Sequence, residues 1–78
     1  MDTTVAQVVD TRGLVCPMPT IRLGQAIRKV AVGDVVEVRT DDPGSPANMA
    51  AWAKNTGHEL LSSAVDGGVY SHRIRRGR

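Results

Sequence analysis

Apolar residues recur along the chain with two periods, and the switches between them mark six elements. Val5-Ala6-Gln7-Val8-Val9 is rich in β-branched residues and bounded by Asp10 and Gly13, which reads as a first strand. From Pro17 onward, Leu23, Ala26, Ile27 and Val30 fall at i, i+3, i+4 and i+7. That is the stripe of an amphipathic helix, with Arg22, Arg28 and Lys29 on its wet side and Gly33 as its C-terminal stop. Val36 and Val38 then alternate with Glu37 and Arg39, so the strand over residues 35–40 is expected to bury one face and expose the other. Asp41-Asp42-Pro43-Gly44 is a turn, and Ser45-Pro46 offers an N-cap hydroxyl with proline at the first helical position. The second helix puts Met49, Trp52 and Ala53 on one face and stops at Asn55-Thr56-Gly57. Two further strands, Glu59 to Val65 and Val69 to Arg75, flank the short hairpin signal Asp66-Gly67-Gly68. The order βαβαββ predicts an α/β (α+β) two-layer sandwich, in which a mixed four-stranded sheet is covered on one face by two helices.

Length and composition narrow the picture. The 78 residues suffice for one domain, residues 1–78, with one small core. Trp52 and Tyr70 are the only aromatic residues, so the stacking platforms of single-strand nucleic-acid binders are missing. The net charge of +2 is unevenly spread: Arg73, Arg75, Arg76 and Arg78 form a basic C-terminal tail over residues 73–78, and the rest is slightly acidic. Such a tail is either a solvated end or a docking element for an acidic partner, with Arg75 and Arg76 as its candidates. The longest apolar run, Met49 to Ala53, is far short of the roughly 20 residues of a membrane span. The start Met1-Asp2-Thr3-Thr4 has no signal-peptide character, so a cytoplasmic location is expected. The single cysteine, Cys16, fits a reducing compartment.

Cys16 stands just before Pro17, which places it at or near the N-cap of the first helix. A helix N-terminus favours thiolate over thiol, although Pro17 and Pro19 offer no N–H, so Met18 is the expected donor to the sulfur and Arg12 a possible second. The alternative role is that of a small buried hydrophobe beside Val15. With no second cysteine, a C-x-x-C oxidoreductase lacks its resolving thiol. A cysteine hydrolase would need a base, but His58 and His72 lie on the last two strands and read as surface residues; no metal spacing involves them. What remains is a thiolate that takes and gives a group by exchange with other proteins. Persulfide sulfur is such a group, and a lone cysteine shelters it from displacement within the chain.

The run Asp10-Thr11-Arg12-Gly13-Leu14-Val15-Cys16-Pro17-Met18-Pro19 resembles the signature of the TusA/SirA-like sulfur-carrier family, Asp-x-x-Gly-Leu-x-Cys-Pro-x-Pro. Gly33 to Val38, Thr40-Asp41-Asp42-Pro43 and Gly57-His58-Glu59-Leu60 resemble further family elements in the same order, so that the likeness covers about residues 5–76. The resemblance implies the βαβαββ sandwich. It implies a persulfide on Cys16, received from a cysteine desulfurase or a rhodanese-like donor and relayed to an acceptor protein in tRNA thiolation, molybdenum-cofactor synthesis or sulfur oxidation. That is a carrier rather than a stand-alone turnover enzyme, with no cofactor and no metal. Asp10, Arg12, Gly13, Pro17 and Pro19 would shape the loop and helix start. Met18 and Asn48 stand where members of the family carry acids, which makes them candidates for partner docking. The rival reading is an RNA-binding module, since the family fold resembles the C-terminal domain of a bacterial translation initiation factor and the Arg-rich tail could meet phosphates. The acidic body and the missing aromatics argue against it.

Overall fold

The two changes of period, from two to about 3.6 residues and back, become two crossovers over one sheet. The computed structural model describes residues 5–15 and 17–78. It contains β1 (Val5–Asp10), α1 (Met18–Ile27), β2 (Val35–Thr40), α2 (Ser45–Thr56), β3 (Glu59–Asp66) and β4 (Val69–Arg75). The strand order is β1-β2-β4-β3. β1 and β2 run parallel, and β4 is antiparallel to both β2 and β3. The sheet is therefore mixed and the helices form one layer over it, as the pattern predicts. The β3–β4 hairpin closes on Gly67 and Gly68, both with positive φ (57° and 81°), which suits the tight turns that match strand twist.

The core lies between that layer and the sheet. Leu23, Ala26 and Ile27 of α1 and Met49 of α2 pack with Val36 and Val38 of β2 and Ile74 of β4. Val9, Val30, Trp52 and Leu60 close its margins. No helix among the described residues is long and apolar enough to cross a membrane.

Three expectations are corrected. α1 stops at Ile27 rather than running to Gly33, with Arg28 as its C-cap. The Arg76 guanidinium donates to the Val30 carbonyl (2.6 Å), while the Gly33 N–H donates to the Arg76 carbonyl (2.8 Å). The end of the chain thus fixes the α1–β2 connection, donating to a carbonyl left free beyond the helix and accepting an N–H from the same connection. Glu37, expected on the wet face, is buried there. Arg39 on its own strand and Arg73 opposite it on β4 fold over its carboxylate, at 2.9 and 3.1 Å. Burial pushes the Glu37 carboxyl up, but the two guanidiniums outweigh it and hold it below its ordinary value. His72, expected at the surface, is fully buried in the helix-facing layer of β4, on the same side as Ile74.

Leu23 is fully buried against the sheet, whereas Val8 on the open face is about half exposed. Leu23→Ala should lower the unfolding free energy by about 3 kcal/mol, a large part of the margin of so small a domain. Val8→Thr should change it by no more than about 0.5 kcal/mol. Equilibrium urea unfolding checks both, and similar effects of the two substitutions would contradict the placement of the core.

Candidate functional site

Because β1 and β2 are parallel neighbours, the loops that leave their C-terminal ends start side by side, and each leads into a helix N-terminus. This is the end of an α/β layer at which ligand sites gather. The first loop carries the signature run. Thr11, fully buried, binds it to β2: both its N–H and its hydroxyl donate to the Arg39 carbonyl, each at 2.7 Å. Two residues on, the Gly13 N–H donates to the Asp41 carboxylate of the second loop (3.1 Å). Gly13 has φ +81°, a conformation that costs side-chain-bearing residues about 1–2 kcal/mol. The Asp10 carboxylate accepts the backbone N–H of Arg12 (3.1 Å) and a two-pronged grip from its guanidinium, with contacts of 2.7 to 3.1 Å. That grip is the first cause holding the Asp10 carboxyl down, to about 2. The ion pair is solvent-exposed, and its service is to fix loop shape rather than to add much stability.

At the helix start, Pro17 is the N-cap and Pro19 is buried in the first turn. Cys16 itself lies outside the described residues. Two donors expected to serve its sulfur are committed elsewhere: the Met18 N–H donates to the Val15 carbonyl (2.9 Å), and the Arg12 guanidinium is held by Asp10.

The second loop is built on Asp42. Its backbone N–H donates to the Thr40 hydroxyl oxygen (3.2 Å), its carboxylate accepts the Gly44 N–H (2.9 Å), and its carbonyl accepts the Ser45 N–H (3.0 Å). Ser45 is not the N-cap that its position suggests. Gly44 takes that place, and the Ser45 hydroxyl turns inward to the Nε2 atom of His72, 2.8 Å away. His72 in turn meets the Ser63 hydroxyl through Nδ1, also at 2.8 Å. The buried ring therefore has a partner at each nitrogen, and burial pushes its pKa down.

Between the two helix starts lies a pocket of about 180 Å³. Pro17, Pro19 and Met49 form its apolar lining, and Thr20, Asp42, Ser45 and Asn48 its polar lining. Asn48 thus faces the same space as Pro17, while Met18, half-buried, is not part of the lining. Arg75 and Arg76 lie elsewhere. Arg75 is opposite Val35 at the start of β2, so about 17 Å of strand separates it from the pocket end, and it is paired with Glu59. His58, half-buried, stacks on Trp52 and accepts the Gly77 N–H at Nδ1. Among the described residues no group of three or more histidines, aspartates and glutamates could hold a metal ion.

The sequence pattern marks none of Thr11, Asp41, Asp42, Ser45 and His72 as a site residue. The Thr-Asp-Asp-Pro turn was visible as a motif, but nothing local shows that its carboxylate reaches a loop 28 residues earlier.

A family model described as Sulfurtransferase TusA matches residues 7–76, which include the whole first loop, the helix start and the Asp41–Asp42 turn. The chain belongs to the TusA family. The sulfur carrier protein TusA of Allochromatium vinosum is 37% identical over 70 residues, covering 90% of this chain and 92% of that one. YrkF of Bacillus subtilis is 40% identical over 70 residues, and this chain spans only 38% of its length. The crystal structure of a SirA-like protein from Desulfitobacterium hafniense superposes with a TM-score of 0.80 at 31% identity, over 92% of this chain and 99% of that one. The TusA-family sandwich expected from the signature run is therefore the fold observed.

Gly13→Ala should lower stability by about 1 kcal/mol, because none of the described residues comes within 4 Å of the added Cβ and the loss is that of the backbone conformation. Gly13→Asn should cost less, since asparagine tolerates that region. Urea unfolding of the pair is the check, and an alanine variant as stable as the parent would contradict the left-handed turn.

Proposed function

We propose that this TusA-family chain is a sulfur carrier in which Cys16 holds the cargo as a persulfide. The observation that carries the reading is the family match over the signature run that contains the chain's only cysteine. In the forward step the Cys16 thiolate attacks the terminal sulfur of a donor protein's cysteine persulfide. A sulfur–sulfur bond forms at Cys16, the donor's sulfur–sulfur bond breaks, and the donor cysteine leaves as thiolate. An acceptor thiolate then repeats the attack on the sulfur held by Cys16. Neither step is a net oxidation, which is why no cofactor is required. A cysteine desulfurase or a rhodanese-like protein fits as donor, and tRNA thiolation, molybdenum-cofactor synthesis or sulfur oxidation as destination.

The surroundings suit that exchange. The loop is held by Thr11, Gly13 and the Asp10–Arg12 pair, and Pro17 and Pro19 stiffen the first turn of α1, so the cysteine's chain neighbours are fixed without being enclosed. Asn48 on the pocket wall and Met18 in the first turn are uncharged where members of the family carry acids. A partner surface for this chain would thus be less basic than for those members. Arg75 and Arg76, at the opposite end, would act on a partner only through long-range attraction. An RNA-binding reading gains nothing from the fold, because Arg73, Arg75 and Arg76 are engaged by Glu37, Glu59 and the Val30 carbonyl.

Incubated with a cysteine desulfurase and cysteine, the protein should gain one sulfur by intact mass, and Cys16→Ser should gain none at unchanged urea stability. The same mass gain in the serine variant, or none in the parent with several donors, would end the carrier reading.

A further inference from the structure

α2 has no side-chain cap at its N-terminus, and the hydroxyl one residue in, on Ser45, points inward to His72. That contact is a side-chain tie between the first turn of α2 and the sheet. It joins the pocket wall, where Ser45 and Asn48 stand, to β4, and Ser63 fixes the other side of the ring from β3. We propose that His72 is a positioning residue for sulfur transfer, holding the α2 wall of the pocket through Ser45, and that acid releases that wall. The inference rests on the carrier reading for the word transfer, but the tie itself stands on geometry.

Hydrogen bonding and burial together give the direction. A neutral imidazole has one N–H and one lone pair, so one serine accepts from it and the other donates to it. An imidazolium donates at both nitrogens, so the serine that was donating must rotate to accept, and its own proton loses the buried acceptor it had. Among the described residues no acid facing the ring compensates the added charge. Val38 of β2 and Ser63 of β3 are the register partners of His72, and Tyr70 stacks on it from its own strand. From the second loop, the Asp42 carboxylate is turned to the Gly44 N–H. Glu37 and Arg73 stand on the opposite face of the sheet, bound to each other. Burial therefore favours the neutral ring, whose folded-state pKa lies below the ordinary 6.5. The unfolded or loosened state binds the proton first. The ring's contribution to order is thus complete above that ordinary value and is lost as pH falls from it through the lower, folded-state pKa.

The test pairs two readouts on wild type, Ser45→Ala and His72→Gln. In the first, amide and imidazole NMR signals are followed from about pH 8 to pH 5. The amides of Asn48 and Met49 should titrate with the His72 ring in the wild type and cease to do so in Ser45→Ala. In the second, sulfur transfer from a preloaded persulfide donor is measured, and each rate is divided by that of His72→Gln at the same pH, which cancels the ionisation of Cys16. The wild-type ratio should fall about threefold between roughly pH 7.5 and 5.5, and Ser45→Ala should stay flat. A pH-independent wild-type ratio, or α2 amides that ignore the ring, would overturn the proposal. If His72→Gln does not fold, Ser45→Ala serves as divisor, and a flat ratio overturns the proposal in the same way. If the wild type accepts no sulfur at any pH, the carrier reading fails, and the amide titration alone upholds or overturns the positioning of α2.

Discussion

The parallel pairing of β1 with β2 is the constraint from which the rest of the molecule follows. Two strands that run the same way side by side deliver their outgoing loops to one edge of the sheet, and each loop must climb into a helix on the same face. The signature loop and the Asp41–Asp42 turn therefore meet, and two helix starts face each other across a pocket. Had β1 paired antiparallel to β2, Gly13 and Asp41 would lie at opposite ends of the sheet. Thr11 extends the pairing beyond the last strand residue, so the loop before Cys16 begins as a continuation of the sheet rather than as a free connection.

The opposite end of the sheet does structural work. There Arg76 satisfies the Val30 carbonyl, its own N–H and carbonyl bind Asp34 and Gly33, and Arg75 is paired with Glu59. A basic chain end that reads as a tail is in part the closure of the α1–β2 connection. On the open face, Glu37 is the pivot: one buried carboxylate binds Arg39 and Arg73 and keeps two of the central strands' charges from repelling each other. The cations that could have made this face a phosphate-binding surface are bound by acids of the same face, which leaves the sheet self-neutralised.

Most of the architecture was legible because it rests on local period. Leu23, Ala26 and Ile27 announce the buried face of α1, Val36 and Val38 that of β2, and the Asp-Gly-Gly run announces the hairpin. The candidate site stood out as a motif, since Asp10 to Pro19 is a contiguous run. What escaped depends on partners distant in the chain. Ser45 and His72 are 27 residues apart, Glu37 and Arg73 are 36, and Val30 and Arg76 are 46. In each case a polar residue with an ordinary surface role by propensity was recruited inward or across the sheet by a partner that no local window contains. Ser45 shows the principle most clearly: a serine before Pro46 is a good N-cap, yet a buried imidazole lacking a partner would cost more than an uncapped helix end.

The central claim is that the loop leading to Cys16 is locked to the end of β2. Native-state amide hydrogen exchange at Thr11 tests it directly, because that N–H lies outside any strand and is bound only by the Arg39 carbonyl. The account predicts that Thr11 is protected to within about tenfold of Val38 at the centre of β2. Exchange of Thr11 close to the rate of an unstructured peptide would contradict it, leaving the signature loop a mobile connection rather than an extension of the sheet.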